Sequence, residues 1–256
     1  MFALALNICA KGELYILFMN NIRQTIPDTL STPSGGSGVE IILSDTGKRF
    51  NRDWIFRHFT FTFSPGKSYA ITGSNGSGKS TLLQAIAGSL YVSEGKLAYQ
   101  KEAKGKEGQV SENKQQEVIE TERIYQYISI AAPYLELIEE MTAKEFLLFH
   151  HQFKPLTTIV GIEEILSLIG LEKAVDKQIR YFSSGMKQRI KLAQAIFSDV
   201  PVLLLDEPCT NLDKAGYTLY HSLINNYCVK KLIIVSSNDS QEMDYCEEKI
   251  NILDFK

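Results

Sequence analysis

The sequence predicts an α/β fold: a parallel-sheet core with an antiparallel β subdomain and a helical insertion. Three stretches carry this. Lys67 to Thr72 is apolar and β-prone, Gly73 to Gly78 is glycine-rich, and Leu82 to Ala87 continues as a helix. That is the punctuation of a strand turning sharply into a helix. Val202 to Leu205 is wholly apolar, the pattern of a strand buried on both faces. Phe59, Phe61 and Phe63 alternate, which gives a strand with one apolar face.

The bulk properties fit a globular chain. Of 256 residues, 44% are hydrophobic and 22% charged, enough apolar material for a sizeable core. A net charge of -3 offers no global electrostatic attraction for nucleic acid. Cys9, Cys209, Cys228 and Cys246 lack zinc-ligand spacing and read as reduced thiols. No run is long and apolar enough to span a bilayer.

Taken in order, residues 1–38 read as an N-terminal extension. Met1 to Ala10 faintly resembles a signal sequence but lacks a basic start and a clean cleavage site. An over-long start, with Met19 as the next initiator, is an equal reading. Ser31 to Gly38 has linker composition. The folded part is expected over 39–256, beginning at Val39 to Leu43 and followed by a strand from Ile55 to Phe63. Pro65-Gly66 then turns into the glycine loop. Gly88 is placed to end the helix after that loop. Gly95 to Tyr99 reads as a short strand, 100–122 as a polar, solvated loop, and Ile124 to Ala131 as a strand.

A helical subdomain is expected over about 134–190. Thr142 to Glu145 offers a capping box for one helix. Ile159 to Ile169 forms a second helix, with Ile162, Ile165, Leu166 and Ile169 on one face and Gly170 at its end. The stretch Phe182 to Arg189 opens a helix running from Ile190 to Phe197. After the apolar strand ending at Asp206 come a helix from Lys214 to about Tyr227 and a strand from Lys231 to Ser236. A helix near Gln241 to Cys246 and a last strand, Lys249 to Leu253, complete the chain.

The chemistry is concentrated in a few stretches. Gly73-Ser74-Asn75-Gly76-Ser77-Gly78-Lys79-Ser80-Thr81 matches the P-loop spacing. Its glycines let successive N–H groups point at phosphate oxygens, and the helix that follows presents its positive end. Lys79 is expected at the β- and γ-phosphates, and the Ser80 hydroxyl on Mg²⁺. Two carboxylates, Asp206 and Glu207, end the apolar strand, where open α/β sheets bind ligands. Asp206 suits Mg²⁺, directly or through water, and Glu207 suits a general base acting on water. Phe50, among Lys48, Arg49 and Arg52, is a candidate stacking platform for a purine; the competing reading is a core phenylalanine. Ser183-Ser184-Gly185 opens a helix and is a second phosphate-ready end, although alone it reads as an ordinary N-cap.

The order of these stretches resembles the nucleotide-binding subunit of ATP-binding cassette (ABC) transporters, over about 39–256. A P-loop is shared by many NTPases. A P-loop followed by Ser183-Ser184-Gly185-Met186, then Asp206-Glu207-Pro208 and Asn211-Leu212-Asp213, is specific to this family, and the signature looks most like single-cassette exporter subunits of the haem-exporter type. The resemblance implies ATP and Mg²⁺ as ligands and a homodimer in head-to-tail arrangement with ATP sandwiched between subunits. Ser183 and Gly185 then meet the γ-phosphate of the partner's ATP, and Asp213 links the two sites. It also implies a multi-spanning membrane subunit as partner and a cytoplasmic position on the inner face of the cell membrane, with no nucleic-acid role.

The chain departs from the family pattern in ways that bear on turnover. Phe182, Ser184 and Met186 replace residues of the usual Leu-Ser-Gly-Gly-Gln signature. The Q-loop glutamine is missing. Ala132-Pro133-Tyr134-Leu135-Glu136 stands there, with Glu136 as a candidate substitute and Gln126 too early, inside the expected strand. The switch histidine is Asn238, which can donate a hydrogen bond but carries no titratable proton. Slow hydrolysis with little pH dependence from this position is expected. Two other classes remain open: a non-catalytic regulatory cassette, and a soluble ABC ATPase acting on ribosomes or DNA.

Overall fold

The computed structural model describes residues 38–102 and 116–256. The extension expected over 1–38, Gly38 apart, and most of the polar stretch 100–122 lie outside these residues.

The described chain opens as an antiparallel hairpin of β1 (Val39–Phe50) and β2 (Asp53–Phe63), in register from Ile41↔Phe63 to Phe50↔Asp53. Asn51, at φ 54, makes the tight left-handed turn between them. Phe56, Phe59 and Phe63 are buried, and Phe61 packs on the edge of the same cluster. Phe56 and Phe59 are three apart, which a regular strand would put on opposite faces. His58, also left-handed at φ 54, lies where the pairing register shifts and resets the alternation.

Next come β3 (Ser68–Thr72), α1 (Lys79–Ile86), β4 (Glu94–Glu102) and β5 (Gln116–Ile119). The antiparallel sheet has the order β2-β1-β4-β5. β5 is a correction to the sequence reading, which left it in a loop. Only Ile119 of that segment is buried, while Val118 is exposed, so its apolar signal is too thin to read. A 3₁₀ turn, Thr121–Gln126, follows, and β6 spans only Ile128–Ala131. The expected strand from Ile124 is therefore shorter. The chain must first leave one sheet for the other, and its pairing begins only at Ile128↔Val202.

The helical insertion holds α2 (Ala143–Phe153), α3 (Ile162–Leu168) and α4 (Ser184–Ile196). The capping box of α2 forms in full: Thr142 Oγ accepts the Glu145 N–H at 3.2 Å, and the Glu145 carboxylate accepts the Thr142 N–H at 2.9 Å. α3 buries Ile165 and Leu166, with Ile169 just beyond, as expected. Ile159 is solvent-exposed and precedes the helix. α4 starts at Ser184, six residues before the expected Ile190, because Ser183 caps it through the Met186 N–H.

β7 (Val202–Asp206), α5 (Lys214–Tyr227), β8 (Leu232–Ser236) and β9 (Glu248–Asn251) complete a five-stranded sheet of order β6-β7-β8-β3-β9 in which every pairing is parallel. The helix expected at Gln241 to Cys246 is a single 3₁₀ turn, Ser240–Glu242, since Glu242 turns inward to accept the Cys209 N–H at 2.7 Å. The last strand stops at Asn251, and Ile252–Phe255 is a 3₁₀ turn. One hydrophobic cluster joins the two sheets, from Ile41 and Phe59 through Ile71 and Leu83 to Leu204 and Ile234. The loops that leave the C-terminal ends of β3, β7 and β8 therefore meet at one edge. Among the described residues, no helix is long and apolar enough to cross a membrane.

Candidate functional site

The glycine loop leaves β3 at Gly73 and enters α1 at Lys79. Gly76, at φ 74, and Gly78, at φ 103, lie in the left-handed region, so side chains at either position would strain the curl. A Cβ on Gly78 would also meet Ile55 of β2. The loop is closed by Ser77 N–H donating to Ser74 O at 3.1 Å. Lys79 is almost fully buried, and its ammonium donates to Gly73 O at 2.9 Å and Ser74 O at 3.2 Å. The Ser77 hydroxyl is buried and has no protein partner.

A cleft of about 210 Å³ opens over this loop. Asn75, Gly76, Gly78, Lys79, Ser80 and Thr81 form its floor, and Ile55 and Glu207 complete its walls. Glu207 arrives there by a backbone turn. It sits at φ 44, a conformation that a β-substituted residue adopts only against a cost of about 1–2 kcal/mol. Its N–H extends the β7–β8 ladder to Ser236 O at 2.8 Å, and its carbonyl accepts the Thr210 N–H at 3.1 Å. Those bonds on both sides hold the turn and aim the carboxylate into the cleft.

Asp206 is nearly inaccessible, and its Oδ1 has no hydrogen-bond partner. A buried carboxylate oxygen left unpaired is costly unless a ligand completes it. With the Ser80 hydroxyl in the adjoining cleft, the donors are hard oxygens, which fit Mg²⁺ and leave positions for phosphate and water. The Ser236 hydroxyl, buried at the end of the next strand, is also unpartnered. Asn238 approaches the P-loop from β8, its amide donating to the Asn75 side chain at 2.9 Å.

The other expected site residues lie outside this cleft. Phe50 ends β1 at the hairpin tip and is 48% exposed, with Lys48 Nζ 5.0 Å from its ring centroid; the core reading of this residue is wrong. Ser183 and Gly185 stand at the start of α4, where Gly185 faces the Asn211 carbonyl; a Cβ there would come within 3.1 Å of it. Gln126 lies in a 3₁₀ turn, not a strand, and donates to the Tyr125 hydroxyl. Burial and then Lys187 lower the Lys191 pKa, and exposed Glu136 acts the other way. In the same segment, burial and then the Asp206 charge push the Tyr134 phenol up to about 12, with Gln84 acting the other way.

Sequence reasoning missed three participants. Ile55 lines the cleft, but in sequence it is one apolar residue of a strand. Gln188 is buried and donates to Pro208 O at 2.6 Å, tying α4 to the turn that carries Glu207. Glu242 bridges to Cys209, and burial raises its pKa above the ordinary carboxylate range. A glutamine and a glutamate in polar stretches carry no local signal of such partners.

Known proteins agree with this geometry. Residues 56–210 match the ABC transporter family. The cytochrome c biogenesis ATP-binding export protein CcmA of Agrobacterium fabrum is 29% identical over 202 residues, 78% of this chain and 88% of that protein. The Nod factor export ATP-binding protein I of Rhizobium johnstonii is 26% identical over 230 residues, 88% of this chain and 70% of that one. Among solved structures, a Pyrococcus furiosus chain described as an ABC transporter ATP-binding protein superposes with a TM-score of 0.67 at 18% identity, covering 85% of this chain and 99% of its own, which supports the fold. With the P-loop, the two carboxylates and the helical insertion placed as described, the chain belongs to the ABC transporter family.

Proposed function

We propose that this chain is the ATP-binding and ATP-hydrolysing subunit of an ABC transporter, powering export through a separate membrane subunit. One observation carries the reading. Lys79 and Glu207 line the same cleft, and beside them Asp206 keeps a buried carboxylate oxygen without a protein partner. The export proteins among its relatives support the direction of transport.

The roles follow from the chemistry of each group. The N–H groups of Ser74 to Gly78, with Lys79 and Thr81, cradle the phosphates, and Phe50 stacks on the base. Ser80 and Asp206 hold Mg²⁺, which when bound supplies charge neutralisation at the phosphate oxygens. Glu207 takes the proton of the attacking water, and Asn238 donates its amide hydrogen to the γ-phosphate. Ser183 and Gly185 lie outside the cleft of their own chain; this fits their service to the ATP of a partner in a head-to-tail dimer. The chain then works at the cytoplasmic face of the membrane.

A second reading is a non-catalytic regulatory cassette, favoured by Asn238, whose amide is already engaged with Asn75 and has no proton to relay. The decisive experiment captures the chain from gently solubilised membranes in the presence of ATP and assays the captured complex for hydrolysis. A multi-spanning protein recovered at equal stoichiometry, with phosphate release, is the expected result. The same partner without phosphate release supports the regulatory cassette, and a soluble catch overturns transport.

A further inference from the structure

The turn that carries Glu207 is held from behind by a carboxylate that does not line the cleft. Glu242 ends the short 3₁₀ turn Ser240–Glu242 and is only 3% exposed. Its Oε1 accepts the N–H of Cys209, itself buried, at 2.7 Å. Cys209 stands two residues after Glu207, inside the turn that Thr210 N–H closes on Glu207 O and Leu212 N–H closes on Cys209 O. Gln188 of α4 holds the next carbonyl, Pro208 O, from the other side. Glu207 itself sits at φ 44, a conformation that persists only where its surroundings over-determine it. Without an acceptor at Glu242, a buried amide of this turn is left unpaired.

Glu242 is fixed in its turn by α5. The Tyr220 hydroxyl donates to Glu242 O at 3.0 Å, and the Tyr217 hydroxyl donates to Asp239 Oδ2 at 2.8 Å. The two tyrosines are three apart on the helix, so one face holds the segment at two points. That segment begins just after Asn238, whose amide reaches Asn75 of the P-loop. Glu242 thus ties the stretch after Asn238 to the turn of Glu207.

We propose that Glu242 is a positioning residue for the catalytic base: as acceptor for the Cys209 N–H, it holds the turn so that the Glu207 carboxylate faces the water it activates. The proposal rests on the reading of Glu207 as that base. What matters is an oxygen acceptor at the right distance, not a charge. Burial, and to a smaller degree the Asp239 and Glu207 charges, favour the uncharged acid of Glu242, whose carbonyl oxygen still accepts an amide hydrogen.

The test measures steady-state phosphate release and the affinity of a fluorescent ATP analogue for the full chain. Glu242→Asp keeps the charge but withdraws the acceptor by one carbon. Its kcat should fall by about tenfold, with analogue affinity within about twofold of wild type, since a small misplacement at a reacting group costs rate rather than binding. Glu242→Gln drops the charge but keeps the acceptor, and should recover most of the turnover. Added to Glu207→Gln, Glu242→Asp should lower the residual turnover no further, because no base is left to misplace. A Gln variant as slow as Asp overturns the proposal, and so does an Asp variant at the wild-type rate. An Asp variant whose affinity falls in step with its turnover, or a full further loss in the Glu207→Gln background, overturns it as well. Wild type that binds the analogue yet releases no phosphate is a different outcome: the hydrolytic reading itself has failed, and the proposal falls with it.

Discussion

The two ends of the parallel sheet bury polar groups in opposite ways. At the C-terminal end, Ser77 Oγ, Asp206 Oδ1 and Ser236 Oγ are buried without partners, and Glu207 holds a costly backbone conformation. At the N-terminal end, half-buried cationic and basic side chains each have a hydrogen-bond partner. Lys154 donates to Ile128 O, Lys231 donates to Ile196 O at 2.8 Å and Ser198 O at 2.6 Å, and His150 Nε2 lies 2.9 Å from Ser198 Oγ. Burial lowers the pKa of all three, His150 to about 3 and Lys154 to about 8. A satisfied cluster closes a fold, whereas an unsatisfied one waits for a ligand. The difference teaches where this molecule invests its strain.

That contrast can be broken by substitution at either end. The largest effect belongs to Glu207→Gln, which should lower turnover by about 10²–10⁴-fold while leaving nucleotide affinity intact. Surviving turnover would remove Glu207 from the base role. At the other end, acid should act through His150. Held neutral by burial, it has a folded pKa of about 3 against an ordinary 6.5, so the unfolded chain binds the extra proton. Its stabilising contribution is complete above pH 6.5 and fades as pH falls toward 3, by roughly 3 kcal/mol at pH 4.5. Denaturant titrations of wild type and His150→Gln at pH 7 and 4.5 should show a smaller pH loss in the variant. Equal losses would mean that the acid response lies elsewhere.

Next in size, Lys231→Met strands two carbonyls and should cost about 2–3 kcal/mol of unfolding free energy without changing nucleotide affinity. The smallest effect sharpens the comparison most. Asp206→Asn removes a buried charge with an unpaired oxygen, so the ligand-free protein should gain about 1 kcal/mol, a rise of about 2–4 °C in Tm. The same variant should lose the tightening of nucleotide binding by Mg²⁺. A lower Tm would show that the Asp206 environment is already satisfied.

The fold was legible where one stretch of sequence carried the whole physical cause. Val202 to Leu205 could only be buried, and the spacing from Gly73 to Thr81 is itself the chemistry of the loop. The capping box at Thr142 and Glu145 announced α2 for the same reason. What was hidden depended on partners distant in sequence. The segment Gln116–Ile119 becomes a strand only because β4 offers it a ladder. At the site, Glu136 is a candidate substitute in the sequence because its charge is visible there. In the fold Glu136 is exposed and does not line the cleft.

α4 carries a consequence of its own. Gln188 holds the Pro208 carbonyl and Lys191, one turn on, holds the Pro133 carbonyl, so a single stiff rod of thirteen residues grips both the loop of Glu207 and the loop of Tyr134. At 1.5 Å per residue it is about 20 Å long, and both grips lie in its middle third. Because both contacts sit on one helix, a displacement of that helix would carry the two loops together, so the insertion and the cleft share one mechanical link.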